Sequence, residues 1–402
     1  MSLVSYIIKR LIMGAVMFVA AISLLWVFIG FIPGDPIQAL MALQSAEDPA
    51  AYEIVRQEYM KQYGFDKPWF MQLWDFFLGI FRGKWGLSIS TAHQGTDVFD
   101  LIKVYFPHTL ELAIIPIIIV NVAAAKLGKY SATHRGQKGD HAVRGTSIMM
   151  VSLPAFWVAL VMQYLFRAVI PDLIGVLLVT SICLLIVFIL SKKFINESWR
   201  YRKPLFTGLY ILLFFTMFLL ILAIIEVPVV SLYSAKYMAR NVPTVTGFRL
   251  IDTLLSNQLD LFMDTLLHLI LPSIVFFITV FGHTLRFSRT CMLDVIEEDY
   301  IRTARAKGSS EKDVINKHAY RNALIPYSTF VGFNIGFFVA GAAYIEYIFD
   351  FNGIGKAMVN AFQELDYFMI RGCVVIFALI VIVINIVVDV LYVVLDPRII
   401  YR

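Results

Sequence analysis

Residues 302–326 read RTARAKGSSEKDVINKHAYRNALIP. This charged stretch lies between two long apolar segments, so its patterning decides how the chain is organised. "DVIEEDYIRTARAKG" (residues 294–308) has helical spacing, with Asp294 near its start and Lys307 near its end, as a helix dipole favours. Gly308 is a natural C-terminal stop. Ser310 followed by Asp313 approximates a capping box for a second helix, whose residues Val314, Ile315, Ala319 and Ala323 share one face. Pro326 then starts an apolar run. The segment therefore reads as helix, glycine turn, helix, membrane.

The rest of the chain is oily. Of 402 residues 59% are hydrophobic and only 16% charged, against about 25% charged in ordinary soluble domains, so the chain needs a bilayer to cover its surface. Its net charge of +5 is small and its basic residues form no stripe interleaved with aromatics, which excludes a nucleic-acid reading. Cys183, Cys291 and Cys373 lie far apart, without a C-x-x-C pair, and support neither a zinc site nor a disulfide framework.

A span needs roughly 20 apolar residues. Eight such segments are expected, at 8–32, 109–127, 147–169, 173–190, 207–226, 265–285, 327–348 and 372–395. With the N-terminus cytoplasmic, 22 of the 34 lysines and arginines fall on the inner side, which favours an even number of spans and both termini inside. Residues 11–32 are uncharged throughout and longer than a signal-peptide core, so the first span is expected to be retained. The chain thus divides into a first transmembrane helix (1–32), an extracytoplasmic loop (33–106) and a transmembrane domain (107–402), with a hydrophobic hairpin at 173–226 and an inner loop at 286–325.

In the outer loop, Pro33-Gly34-Asp35-Pro36 ends the first span, and Ile54, Val55, Tyr59, Met60 and Tyr63 recur at helical spacing. Trp69, Phe70, Trp74, Phe76, Phe77, Phe81 and Trp85 follow closely, as in a helix lying in the membrane interface. Such a rim could meet an extracytoplasmic partner or serve only as an anchor. Polar residues within spans are functional candidates. Glu111 is placed at the outer end of span two, where a helix N-terminus favours an anion. Gln163, His268 and Asn334 are candidates for a translocation path, and Asn385 and Asp389 lie in the last span. Helix packing alone would also place polar residues there. Pro116, Pro154 and Pro272 are expected to interrupt three spans.

Catalytic patterns are missing. No H-E-x-x-H, G-x-S-x-G or paired intramembrane aspartate occurs, and no acidic or histidine chain forms a proton relay. "FNGIGKA" (351–357) resembles a phosphate loop only superficially, because Lys356 is followed by Ala357 and residue 350 is aspartate. The chain is expected to be a non-enzyme with no ATP site, metal or cofactor of its own.

The inner loop holds eight basic and six acidic residues, whereas a lipid-binding segment would favour basic charge alone. Mixed charge with small residues at Thr303, Ala304 and Ala306 suits docking into a groove on another protein. At this point the residues resemble a known family. The loop resembles the EAA loop of prokaryotic ATP-binding-cassette importer permeases, specifically the B-type permease subunit of dipeptide, oligopeptide and nickel transporters. The resemblance covers most of the chain through "IIKRLI", "FIPGDP", "YGFDKPW", "GKWGLSIS", "HTLELA", "SLPAFWVAL", "EDYIRTARAKG", "RNALIP", "YIEYIFDFNGIGKAM" and "VDVLYVVLDPRIIY".

The resemblance implies an all-α, polytopic fold: a type I permease core of six transmembrane helices, to which the 173–226 hairpin adds two, for eight in total. It also implies a multi-pass subunit of a prokaryotic cell membrane that forms half of a translocation pathway for peptides, with oligosaccharides or nickel as alternative cargo. A self-contained secondary transporter is the rival from another class. The implied partners are a second homologous permease subunit, two ATP-binding subunits that hold ATP and magnesium, an extracytoplasmic substrate-binding protein and membrane lipids, with no nucleic acid. The implied coupling residues are Arg302, Thr303, Ala304, Ala306, Gly308 and Ser310. Thr303, Ala304 and Gly308 occupy the motif's alanine, alanine and glycine, and Arg302 replaces its glutamate. Asn352 stands where the family usually has proline.

Overall fold

A computed structural model describes residues 3–41, 49–166 and 245–395, with a few scattered positions between 178 and 217. Among the described residues the chain is helical, with no strand beyond one isolated bridge, Leu87 to Asp97. The helices are α1 (Leu3–Ile29), α2 (Pro36–Met41), α3 (Pro49–Gln62), α4 (Trp69–Arg82), α5 (Val98–Thr133), α6 (Lys138–Val151), α7 (Ala155–Tyr164), α8 (Arg249–Leu255), α9 (Leu259–Ile296), α10 (Asp299–Ala306), α11 (Tyr320–Ile348), α12 (Ile354–Gln363) and α13 (Tyr367–Leu395). Residues Met1–Pro154 and Phe276–Arg402 form one compact unit, and Ala155–Val275 a second.

Four helices are long and apolar enough to cross a membrane, or up to six if each bent pair counts as one span, among the described residues. The expected hairpin at 173–226 lies outside those residues, apart from the scattered positions, so the count of eight has no structural counterpart here. Pro116 and Pro272 do not break their helices: α5 runs 36 residues and α9 38. Each proline gives up one backbone bond, and neighbouring turns carry the helix through. Pro154 does mark a break, because α6 stops at Val151 and α7 begins at Ala155. Pro326 does not start its span either. It lies inside α11, six residues after the helix begins.

Helix α5 starts well before the expected 109. Asp97 caps it by accepting from the Phe99 N–H at 2.9 Å. Glu111 is therefore a mid-helix residue, 5% exposed, with its carboxylate 4.0 Å from His108 Nδ1, and not a residue at a helix N-terminus.

In the first unit two apolar clusters form at opposite ends of α5. One joins α1, α5, α12 and α13 through Ile22, Trp26, Val98, Ile102, Ile354 and Ile370. The other joins the ends of α5, α9 and α11 through Ala125, Met292, Ile301, Val314 and Tyr327. Along α5 they are roughly 35–45 Å apart, at 1.5 Å per residue. Lipid is as apolar as these side chains, so close fit and polar bonds must hold the helices together. A β-carbon at Gly128 would strike the side chain of Ser288 and lie 2.9 Å from the Arg289 backbone nitrogen, so glycine sets the contact of α5 with α9. Beside it Arg289 Nε donates to Asp140 Oδ1 at 2.9 Å and to Ser131 at 3.0 Å, tying α9 to α6 and α5. Arg10 pairs with Asp389 at 3.2 Å and joins α1 to α13.

The loop expected outside, residues 33–106, carries the short helices α2, α3 and α4. Val55, Tyr59, Met60 and Tyr63 pack beneath α2 as their spacing predicts, but Ile54 is 68% exposed. On α4, Phe76 and Gly79 are buried while Trp69, Phe70, Trp74 and Phe81 stand exposed. This is the arrangement of a helix with one face toward the bundle and another toward lipid.

In the second unit Asp252 of α8 accepts from the Thr246 backbone at 2.8 Å, the Thr246 hydroxyl at 2.7 Å and Gly247 at 2.9 Å. Burial opposes its charge, but these donors outweigh burial and hold the carboxyl below the ordinary aspartate range.

Candidate coupling site

The expected single helix over 294–308 is broken. Helix α9 ends at Ile296, Glu298 is extended (φ −67°, ψ 147°), and α10 starts at Asp299. Arg135 holds Glu297 at 2.7 Å at the break. The change of direction has a packing cause: it turns Ile301 into the second cluster, where it is fully buried. Of α10's eight residues only Ile301 is buried, so the helix is a surface rod pinned by one side chain.

The sequence reading of the turn is borne out. Gly308 has φ +79°, the left-handed conformation a helix stop requires, and a β-carbon there would meet nothing within 4 Å. Ser310 caps the next segment by accepting from the Asp313 N–H at 3.2 Å. Across the turn Arg305 donates to both carboxylate oxygens of Glu311, at 3.1 and 2.8 Å. This exposed bidentate fork bridges the two arms across the turn. The second arm, Glu311–Asp313 followed by Val314–Ala319, becomes a π-helix over the latter stretch and merges into α11. In π geometry residues five apart stack, so Val314 and Ala319 both reach the cluster, each fully buried, with Ala323 at 4% and Ile315 partly buried.

Five of the six candidate coupling residues are exposed. Arg302 is exposed and pairs with Asp299 at 3.2 Å. The Thr303 hydroxyl donates to the Asp299 carbonyl at 2.9 Å. Ala306, Gly308 and Ser310 are exposed, while Ala304 is half-buried against the cluster. The arrangement is a preformed, small-surfaced knob. Its base is tied to three long helices: Ile301 and Val314 are buried in one cluster with residues of α5, α9 and α11, Lys129 of α5 donates to Asn316 at 3.2 Å, and Asn322 donates to the Tyr300 hydroxyl at 2.8 Å.

The three path candidates fall in two different units. Asn334 of α11 donates to the Thr284 hydroxyl of α9 at 2.9 Å, within the first unit. Gln163 and His268 belong to the second unit. Gln163 is half-buried on α7, and His268, 1% exposed, donates from Nδ1 to the Asp264 carbonyl at 2.6 Å.

Sequence reasoning missed the buried polar anchors. Glu346 is fully buried and accepts from the Lys356 N–H at 3.0 Å, which makes "FNGIGKA" a helix-start anchor. Asn352, in the place of the family's proline, accepts from the Lys356 ammonium at 2.8 Å. Asp366 accepts from the Ser88 hydroxyl at 2.5 Å and from the Ile89, Ser90 and Met369 N–H groups. Burial raises its carboxyl above the ordinary range, and those donors oppose the rise. Among the described residues no group of three or more His, Cys, Asp or Glu side chains is placed to hold a metal.

The family of binding-protein-dependent transport system inner membrane components matches residues 121–401, a range that contains the whole coupling segment and begins inside α5. The di/tripeptide transport system permease protein DppB of Pseudomonas aeruginosa is 31% identical over 397 residues, which cover 99% of each chain. The dipeptide transport system permease protein DppB of Escherichia coli K12 and the oligopeptide transport system permease protein AppB of Bacillus subtilis are each 28% identical, again over 99% of both chains.

Proposed function

The chain belongs to the binding-protein-dependent transport system inner membrane components, a family of multi-pass membrane proteins, and from that premise we propose that it forms half of an ATP-driven import pathway for peptides. Similarity along the whole chain to permeases named for di-, tri- and oligopeptides supports the cargo. In this reading a second homologous permease completes the pathway and a substrate-binding protein delivers peptide outside. Two partner subunits bind ATP and magnesium and hydrolyse the nucleotide. This chain supplies no cofactor and no catalytic group. Both of its termini, and the turn at Gly308, face the cytoplasm.

The observation that carries the coupling role is the exposed knob Arg302–Ser310 on a fully buried base. An ATPase groove gripping Arg302, Thr303, Ala306, Gly308 and Ser310 pushes on α10. The Arg305–Glu311 fork bridges the knob's two arms, and Ile301 with Val314 passes the displacement to α5, α9 and α11 at once. Packed helices respond to such a push by changing between discrete arrangements, here inward- and outward-facing.

Gly308→Trp tests this directly. A β-carbon there meets nothing within 4 Å, so the main cost expected within the fold is the left-handed backbone penalty of about 1–2 kcal/mol. Gly308→Asn incurs a smaller backbone penalty and serves as the control. The tryptophan variant is expected to insert normally but to lose co-purifying ATPase and transport, and Ala306→Asp to do the same. Retention of both ATPase and transport by both variants would falsify the coupling assignment. Ala304→Asp is less clean, because Ala304 is half-buried and its loss also weakens the base.

A further inference from the structure

At the end of the bundle away from Gly308, a pocket of about 470 Å³ opens beside α4. Its floor is Arg371, in the first turns of α13, which is 5% exposed. The guanidinium carbon lies 3.5 Å from the centre of the Trp26 ring and 5.4 Å from that of Phe368. Ring faces satisfy the π face of a guanidinium, not the five N–H donors in its plane. Nε is buried with no hydrogen-bond partner, and no carboxylate lies within 4.0 Å of Arg371 among the described residues. The rim adds Lys61 and Lys84, both exposed and without acidic partners among the described residues, while Lys67 is paired to Asp75 at 2.6 Å. The pocket is thus cationic at its rim and floor, with aromatic walls.

We propose that this pocket binds the carboxylate of a small organic acid that carries an apolar body. A planar fork with unused donors matches a carboxylate in two parallel bonds. The aromatic walls suit the attached apolar group. The pocket uses the Gln72, Asp75 and Phe76 side of α4, away from exposed Trp74 and Phe81, so the ligand enters from water and not from lipid. Resting on the proposed function, the C-terminal carboxylate of a short peptide is the natural ligand, which makes the pocket an outer way-station for cargo.

The test is calorimetric titration of the full-length chain, with whatever subunits co-purify, in nanodiscs of phosphatidylcholine. The probes are N-acetylphenylalanine, its amide, the dipeptide alanylphenylalanine and inorganic phosphate. The acid is expected to bind at least tenfold more tightly than the amide. Arg371→Gln should abolish that preference and Arg371→Lys restore it in part. If Arg371→Gln fails to insert, the double variant Lys61→Gln/Lys84→Gln decides, with a several-fold loss expected. Equal binding of acid and amide, or an unchanged preference in the variants, overturns the proposal. A response to phosphate alone also overturns it, in favour of a phosphate or lipid-headgroup site. Binding of N-acetylphenylalanine but not of a dipeptide would keep the carboxylate site and sink only the peptide reading.

Discussion

At the scale of single residues, a buried charge pair joins helices in the first unit. Asp140 has a side chain 1% exposed and accepts from Arg289, Ser131 and the Gly136 N–H, so three helix segments meet on one carboxylate. Asp140→Ala leaves the Arg289 guanidinium, only 18% exposed, without its counter-charge. Breaking such a pair costs about 3–5 kcal/mol, whereas replacing both partners with apolar groups is often neutral. Asp140→Ala is therefore expected to lower the unfolding midpoint sharply, and Asp140→Ala/Arg289→Met to recover most of the loss. Equal midpoints for the wild type and the single variant would remove this pair from the account of stability. Asn334 poses the opposite case. Its bond to Thr284 is one neutral hydrogen bond, and such bonds in membranes average about 0.6 kcal/mol. Asn334→Leu should leave stability nearly unchanged but slow peptide uptake if the residue lines the path. Unchanged uptake assigns it to packing.

Single elements show what local pattern can and cannot disclose. The turn at Gly308, the Ser310 cap and the buried face of Val314, Ala319 and Ala323 were legible because each rests on neighbours within about five residues. The exposed aromatic face of α4 was legible for the same reason, and it supports a prediction of its own. Trp69 and Trp74, 66% and 64% exposed, should be quenched by brominated lipid, and buried Trp85 should be quenched far less. Equal quenching would place α4 away from the interface. The break at residues 297–298 was not legible. Its cause is the burial of Ile301 against residues such as Ala125, remote in sequence. The same holds for Asp366, whose donor Ser88 is 278 residues away, and for Arg289 and Asp140, 149 apart. Periodicity carries no record of such pairings. Glu111 was misplaced because an apolar window finds where a membrane begins, while the helix itself starts at its cap, Asp97.

At the scale of the whole molecule, the two clusters at opposite ends of α5 give the first unit two ends with different surfaces. One end presents Arg302–Ser310 on a base tied to α5, α9 and α11, and the other carries the outer helices and the Arg371 pocket. The proposed function requires these ends to lie on opposite sides of the membrane, with the Gly308 turn inside. Cysteine labelling can test this, because the chain's own Cys291 and Cys373 are buried and only Cys183 needs replacement by alanine. Ala92 and Ser309 are both exposed, one at each end. In right-side-out vesicles a membrane-impermeant maleimide should label Ala92→Cys and spare Ser309→Cys, and in inverted vesicles the pattern should reverse. If both positions label from the same side, the number of spans between them is even and no shared pathway can connect a peptide supplied at one face with ATPases at the other. If they label from opposite sides but with Ser309 outside, the fold stands and the coupling role of the Gly308 turn fails, since ATP is available only to the cytoplasmic face.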